Sequence, residues 1–286
     1  MKTDTTGAAP ALSVILPASN EEALIATCLD RVLDSHWPGS EPLEVIVVAN
    51  GCRDATAAIA RGMKDRFDQR RWHLSVLEHE TGGKLAALNL GDARAAAKSL
   101  VYLDADVEVG PHLLEALRVA LDSPKATYAS GTVDIPRPAT WASRAYARIY
   151  RQVPFMTHGV PGCGLFAVNA AGRSRWGTYP NIISDDTFVR LNFAPEERNA
   201  VPHVYRWPLV EGFGNLVRVR RRQNIGVDEV AERFPQLIRN DDKPAFPLDQ
   251  KLRIALRDPV GFAVYCAVAL IARSTVRGQG NWDRGR

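Results

Sequence analysis

Closely spaced cysteines are missing from this chain of 286 residues: Cys28, Cys52, Cys163 and Cys266 stand far apart. That excludes a cysteine-based zinc site, and nothing else suggests a disulfide framework. The opening residues, MKTDTTGAAP, lack the apolar core of a signal peptide. Both absences lead to the expectation of a reduced, cytoplasmic setting. Net charge is nearly absent too. The 36 basic and 32 acidic residues leave +4, too little to imply a nucleic-acid partner. No GxGxxG follows a strand pattern, and the GxxxxGK[ST] spacing is nowhere present, so the dinucleotide fingerprint and the Walker loop are excluded. Helical repeat periods and low-complexity tracts are missing as well.

What remains is ordinary globular material, 46% hydrophobic and 24% charged, enough for one large domain or one domain with an appendage. Leu12 to Leu16, Val45 to Val48, His73 to Leu77 and Leu100 to Leu103 read as strands. The β-branched run at Val45 is typical of a strand buried on both faces. Helical patterns separate these strands. Ser19 or Asn20 is expected to cap the first, with Glu21 and Glu22 in its opening turn and Leu24, Ile25, Cys28, Leu29, Val32 and Leu33 on its buried face. Asp54 starts the second, Gly82 and Gly83 precede the third from Lys84 to about Ala97, and Pro111 opens the fourth. Strands alternating with helices from residue 12 to about 121 predict an α/β fold with a mainly parallel sheet.

Past Ala126 the pattern changes. Ala126 to Ile135 reads as a strand, Thr140 to Val153 as an aromatic-bearing helix, and Gly159 to Gly164 as a glycine-rich loop before the strand Leu165 to Val168. Asp228 to Lys243 is polar and fits no element. From Arg206 onward 15 basic residues face 9 acidic ones, which suggests a partner carrying phosphates, either anionic lipid or a phosphorylated ligand. Pro259 to Ala272 holds fourteen residues without a charge, short of the roughly 20 that a spanning helix needs. Flanked by Arg257, Arg273 and Arg277, it suits a core helix or an interfacial one whose arginines meet lipid phosphates.

Parallel sheets bind ligands at the carboxyl ends of their strands. Four such ends carry polar residues here: Pro17 to Glu21, Asn50 to Asp54, Gly82 to Lys84, and Asp104 to Asp106. In LVYLDADVEV the two aspartates stand two apart. Alternate side chains of an extended segment project to one side, so both carboxylates can face one hard divalent cation, Mg²⁺ or Mn²⁺. Turn or capping aspartates would show the same spacing. TGGKLAALN sets two glycines and Lys84 at a helix start, where backbone N–H groups, dipole and cation together suit a phosphate. A solvated lysine after a turn would look alike. ISDDTF places Asp185 and Asp186 ahead of Phe188 and Val189. One carboxylate there can take a proton from a hydroxyl, and a helix N-cap with first-turn acids fits equally well. Arg218, Arg221 and Arg222 share one helical face while Arg220 points elsewhere; that face suits a diphosphate, lipid headgroups or plain solvent.

Taken in order, these segments resemble the family 2 glycosyltransferases, enzymes of the GT-A fold, over residues 11 to about 225. SVILPASNEE is similar to that family's opening strand and its Pro-x-x-Asn-Glu turn, here Pro17, Asn20 and Glu21. VIVVANGCRDAT resembles its VVDDGSxDxT segment, GGKLAALN its phosphate loop, and LDADV its metal-binding Asp-x-Asp. SDD, behind the glycine-rich PGCGL, resembles its acidic pair. The resemblance implies a Rossmann-like, mainly parallel sheet flanked by helices, with Mn²⁺ or Mg²⁺ on Asp106 and Asp104 beside it on the ribose or metal. It implies Pro17, Glu21 and Asn50 around the nucleoside, with Asn20 in the same turn, and Lys84 on the donor. Asp186 is implied as general base with Asp185 supporting it, and Gly162 to Gly164 as the floor near the acceptor. Arg221 and Arg222 loosely resemble the Gln-x-x-Arg-Trp diphosphate clamp, without its tryptophan.

Ala49 stands where the family has the first acid of VVDDGS, and Asn50 where it has the second. An amide offers both donor and acceptor to a base, and uridine is the first expectation. The implied reaction is one inverting displacement from a nucleotide-sugar donor onto a glycan or lipid-linked acceptor, as in bacterial polysaccharide or glycolipid synthesis. It would run in the cytoplasm, with peripheral contact to the anionic membrane face as a further expectation. The implied organisation is a flexible tail over 1–10, a GT-A domain over 11–225 and a helical extension over 226–286. A sugar-phosphate nucleotidyltransferase would need a glycine- and arginine-rich loop where PASNEE stands. A non-catalytic nucleotide-sugar binder or a membrane-bound assembly partner would not need to keep every carboxylate.

Overall fold

The computed structural model describes residues 9–274. The tail expected over 1–10 lies outside them except for its last two residues, and so does Arg277. In chain order the first elements are β1 (Leu12–Ala18), α1 (Ile25–Leu33), β2 (Leu43–Asn50), α2 (Thr56–Gly62), α3 (Lys64–Gln69), β3 (His73–His79), α4 (Lys84–Arg94), β4 (Leu100–Leu103), β5 (Glu108–Val109), α5 (Leu113–Leu121) and β6 (Tyr128–Asp134). Then follow α6 (Trp141–Tyr150), α7 (Pro154–Thr157), β7 (Leu165–Val168), α8 (Ala170–Arg173), α9 (Asp185–Leu191), β8 (Arg198–Arg206), α10 (Phe213–Arg233), α11 (Leu248–Arg257) and α12 (Pro259–Ser274). The chain divides into two compact units, one of residues 9–132, 164–180 and 201–205, the other of 133–163, 181–200 and 206–274.

The first unit is built on a sheet of order β3-β2-β1-β4-β7-β6-β8-β5. Its first four strands are parallel, in register from Leu12 opposite Leu43 to Ala18 opposite Ala49. β7 then joins β4 and β6 antiparallel. The mainly parallel expectation therefore holds for the half that alternates with helices. Every residue of β1 and β2 is buried, as a strand covered on both faces requires. Helix α4 lies against this layer at Gly91, where an added Cβ would come within 2.3 Å of Ile15 Cγ2.

In the second unit α6, α10 and α12 enclose a core that includes Ile135, Tyr146, Ala147, Tyr150, Val153, Leu216, Val217 and Val268. One face of α12 packs inward through Gly261, Val268 and Ala272. Asp258, just ahead of it, pairs with Arg148 Nε at 2.6 Å. The polar stretch that fitted no element turns out to satisfy buried cations. Asp241 accepts from Arg190 at 2.9 Å, and Asp242 from Arg190 at 3.1 Å and Arg198 at 2.7 Å. Burial raises the Asp241 carboxyl, but Arg190 outweighs it and the net shift is downward. The boundary expected at 225/226 falls inside α10, which continues without a break to Arg233.

Candidate active site

The chain leaves β1 toward β2 on one side and returns to β4 on the other, so the topological switch of the parallel sheet lies between β1 and β4. Loops diverge at such a point and leave a crevice for a ligand. Here the loops after β1 and β2 are laced together. Arg53 N–H donates to Asn20 Oδ1 at 2.8 Å, Ala55 N–H to Glu22 Oε2 at 3.0 Å, Glu22 N–H to Asp54 Oδ2 at 3.1 Å, and Glu21 N–H to Thr56 Oγ1 at 2.7 Å. Asp54 Oδ1 accepts both the hydroxyl and the N–H of Thr56. Burial pushes the Asp54 carboxyl up, and the hydrogen bonds from Thr56 and Glu22 more than reverse it.

Asn20 reaches its partner with φ at +53°, a left-handed conformation that asparagine tolerates better than most residues. This corrects the capping expectation. The Asn20 amide serves the neighbouring loop, residues 21–24 form a turn closed by Leu24 N–H on Glu21 O, and α1 begins only at Ile25 with Leu24 at its N-cap. No acid stands in its first turn.

Asn50 is 2% exposed. Its Nδ2 donates to Ala18 O at 2.9 Å and Val48 O at 3.4 Å, and its Oδ1 accepts Gly83 N–H at 3.0 Å. The amide expected at a nucleobase is thus engaged with three backbone groups and ties β1 and β2 to the glycine loop. Gly51, at φ +59°, meets that loop so closely that a Cβ would sit 2.7 Å from Gly82 Cα.

Lys84 opens α4, and its Nζ lies 2.8 Å from Asp104 Oδ1. Asp104 N–H donates to Gly164 O at 2.8 Å, while Asp104 O accepts Val107 N–H at 3.1 Å. The acid pair therefore rides on a turn over 104–107 and not on the extended segment expected. The alternation survives: Asp104, Asp106 and Glu108 are half-exposed, and Ala105, Val107 and Val109 are buried. Behind them the buried Cys28 thiol contacts Asp104 O at 3.9 Å. Its pKa is pushed up by burial first, and then by Asp106, Asp104, Glu108 and Glu21. Four carboxylates thus act on one thiol. Such a negative field fits a hard divalent ion, which takes a few carboxylates and completes its shell with phosphate and water oxygens. Asp106 and Asp104 are the residues that would hold it.

The second unit carries the other acids. Ser184 precedes α9, and Asp185 and Asp186 fill its first turn, Asp185 buried and Asp186 half-exposed. Asp186 Oδ1 accepts Thr187 N–H at 2.7 Å and the Ser184 hydroxyl at 2.8 Å. One oxygen is thereby fixed, and Oδ2 remains to take a proton. Helix α10 supports this turn through residues that no motif marks. Glu229 Oε2 accepts Ile183 N–H at 2.8 Å, and Arg233 donates to Glu229 Oε1 at 2.9 Å and to Asn181 O. Gly226 lets the helix close in, since a Cβ there would lie 2.8 Å from Ser184 Cβ and 3.1 Å from Ser184 N. The helical spacing of Gly226, Glu229 and Arg233 was the available signal, hidden in a stretch that reads as merely polar. Gly226→Val is expected to displace Ser184 and the acid turn and to lower the catalytic rate about 100-fold. Donor affinity should change less than about twofold, which rate measurements beside a donor titration would check.

Nearer the start of α10, Arg218 is exposed and bonds Asn215 Oδ1 at 2.7 Å, whereas Arg220 turns toward Tyr146, Tyr150 and Tyr265. Burial pushes the Tyr146 phenol up to about 12 against the opposing pull of Arg220. The separation of Arg220 from Arg218 agrees with the spacing argument. Arg221 and Arg222 are half-buried.

A family model described as "Glycosyl transferase family 2" matches residues 13–169. Glycosyltransferase AglE of Haloferax volcanii is 33% identical over 134 residues, 46% of this chain and 42% of that protein. Dolichyl-phosphate beta-glucosyltransferase of Drosophila melanogaster is 37% identical over 101 residues, 33% of this chain and 30% of its own length. The chain spans less than half the length of these curated relatives. Among solved structures, mannosyltransferase PcManGT from Pyrobaculum calidifontis, in complex with GDP-Man and Mn2+, superposes with a TM-score of 0.57 at 22% identity, over 95% of this chain and 79% of that one. S. aureus TarS 1-349 in complex with UDP-GlcNAc gives 0.51 at 16% identity, over 92% and 91%. At such identities the likeness speaks to the fold, which is of the GT-A type.

Proposed function

The chain belongs to the family 2 glycosyltransferases, and from that premise we propose that it moves a sugar from a nucleotide diphosphate onto an acceptor hydroxyl, with inversion at the anomeric carbon. The observation that carries this reading is the acid turn after β4, with Asp104 and Asp106 half-exposed beside the switch point and Lys84 at 2.8 Å from Asp104. Mn²⁺ or Mg²⁺ bound to this pair would neutralise charge on the departing diphosphate. Lys84 exchanges Asp104 for a donor phosphate oxygen, and Arg221 and Arg222 are proposed as phosphate-binding groups. Pro17 and Glu21 flank the nucleoside, while Asn50 acts by holding Gly83. Asp186 takes the proton of the attacking hydroxyl, and buried Asp185 steadies the turn that presents it.

Uridine is the first choice of base and guanosine the second, in keeping with the two donors held by the solved neighbours. Protein stripped with EDTA and offered UDP-, GDP- and dTDP-sugars should cleave its donor only when Mn²⁺ or Mg²⁺ is restored. Turnover indifferent to EDTA would remove the metal from this account.

For the acceptor we propose a lipid-linked glycan met at an anionic membrane surface. Leu248, Leu252 and Leu256 of α11 are 71%, 58% and 85% exposed and recur every four residues as one stripe, while Ile254 packs inward. Lys251 and Arg253 flank them. Val260, Leu270 and Ile271 of α12 are exposed as well. No helix among the described residues is long and apolar enough to cross a membrane, whereas an apolar stripe between basic residues suits a helix lying in the interface. Each leucine withdrawn from lipid forfeits about 2 kcal/mol. Leu252→Ser with Leu256→Ser should therefore cut co-sedimentation with phosphatidylglycerol vesicles at least about tenfold and leave donor cleavage unchanged. Equal sedimentation would refute the membrane part alone.

A further inference from the structure

Away from the acid turn, the first unit brings together a second set of metal-ligating side chains: His36 from the loop after α1, His112 just before α5, and Glu115 in the first turn of α5. Helix α1 begins next to the Glu21 turn, and its nine residues carry the chain about 13 Å from that end before His36 is reached. His36 Nε2 lies 3.8 Å from Glu115 Oε2, and His112 Nδ1 lies 3.9 Å from the same oxygen. The two imidazole rings are 5.0 Å apart between centroids. One candidate ligand atom from each residue falls within 4.8 Å of the others.

These distances are too long for hydrogen bonds, so the three side chains converge without bonding one another directly. A cation between them would join all three. Donor atoms about 2.1 Å from a tetrahedral ion lie about 3.4 Å from one another, so each histidine must approach Glu115 by roughly half an ångström, and the two histidines each other by at most about 1.4 Å, to close the set. Two imidazoles and one carboxylate form a ligand class that suits zinc, whereas Mg²⁺ and Mn²⁺ favour all-oxygen shells.

The backbone is already in place. His36 N–H donates to Pro111 O at 2.6 Å, next to His112. Ser35, 1% exposed, presents its carbonyl to Arg70 at 3.0 Å. Glu115 forms no ion pair with lysine or arginine among the described residues; the side chains that face its carboxylate are the two histidines. Beside the cluster an open groove of about 460 Å³ is lined by His112, Glu115 and His203 among others, and the His203 ring stands 5.9 Å from that of His112. A fourth ligand, water or His203, has room there.

We propose that His36, His112 and Glu115 bind a zinc-class divalent ion that staples the loop after α1 to the start of α5, separately from the ion held by the acid turn. The test uses the whole protein, stripped with EDTA and kept in excess Mg²⁺ so that the carboxylate site is filled. Zn²⁺ should then bind at one equivalent and raise the melting temperature. His36→Ala and His112→Ala should each weaken that equivalent at least about 100-fold and abolish the thermal shift. Both variants should melt like stripped wild type when no zinc is present and should cleave donor at the wild-type rate in Mg²⁺. In the wild-type protein Cu²⁺ as a probe should give an electron paramagnetic resonance spectrum split by two imidazole nitrogens. Zinc stoichiometry unchanged in both variants, or a copper spectrum without nitrogen coupling, would overturn the proposal. Neither result depends on whether the protein transfers sugar.

Discussion

Asp186→Asn is expected to lower the transfer rate about 10³-fold, within the range that removal of a positioned general base produces, and to leave donor affinity within about twofold of wild type. An amide oxygen can still accept the Thr187 N–H and Ser184 hydroxyl bonds that fix the side chain, so the turn keeps its shape and only the basic oxygen is lost. Single-turnover rates beside calorimetric donor binding separate the two quantities. Retention of more than about a tenth of the wild-type rate would exclude Asp186 as the base.

Asp106→Ala should act on the other partner in the reaction. It removes one of the two carboxylates presented by the turn over 104–107 and leaves Asp104, which is already paired with Lys84 at 2.8 Å. A hard ion left with one carboxylate binds weakly. The Mn²⁺-dependent part of nucleotide diphosphate affinity is expected to fall about 100-fold. The rate constant kcat/KM should fall about 10³-fold or more, since several kcal/mol of leaving-group stabilisation go with the ion. Titrating UDP and GDP with and without Mn²⁺ checks this. Equal Mn²⁺ enhancement in wild type and variant would count against Asp106 as a ligand.

The strands were legible because β1, β2 and β4 are largely apolar runs buried on both faces, and period and composition report burial directly. The acids at their ends were legible for the same reason: a polar residue that stops a buried strand is located by the strand. What the sequence hid is the set of partners each polar group chooses. Asn20 and Asn50 look alike as amides at strand ends, yet one takes a left-handed backbone to bridge two loops and the other is consumed by Ala18, Val48 and Gly83. Apart from the bond to Val48, those choices depend on contacts more than 30 positions away.

The same holds for Asp241 and Asp242, whose partners Arg190 and Arg198 lie more than 40 residues upstream. Gly226 reads as a helix-weakening glycine until Ser184 is seen against it. Leu248, Leu252 and Leu256 carry no mark in the sequence that sets them apart from core leucines, yet they lie on the surface. Three scattered residues, His36, His112 and Glu115, offer no motif at all. Local pattern reports burial well, and it reports long-range pairing poorly.

The claim on which the account rests is that Asp106 and Asp104 hold the ion that meets the donor's diphosphate. Crystals grown with Mn²⁺ and UDP or GDP would place the metal directly by its anomalous scattering. The expected map has a peak within about 2.5 Å of an Asp106 oxygen, bridged to the diphosphate, with Lys84 moved from Asp104 onto a phosphate. A diphosphate bound with no metal at Asp106, or Mn²⁺ seated elsewhere while Asp106 stays unligated, would contradict it.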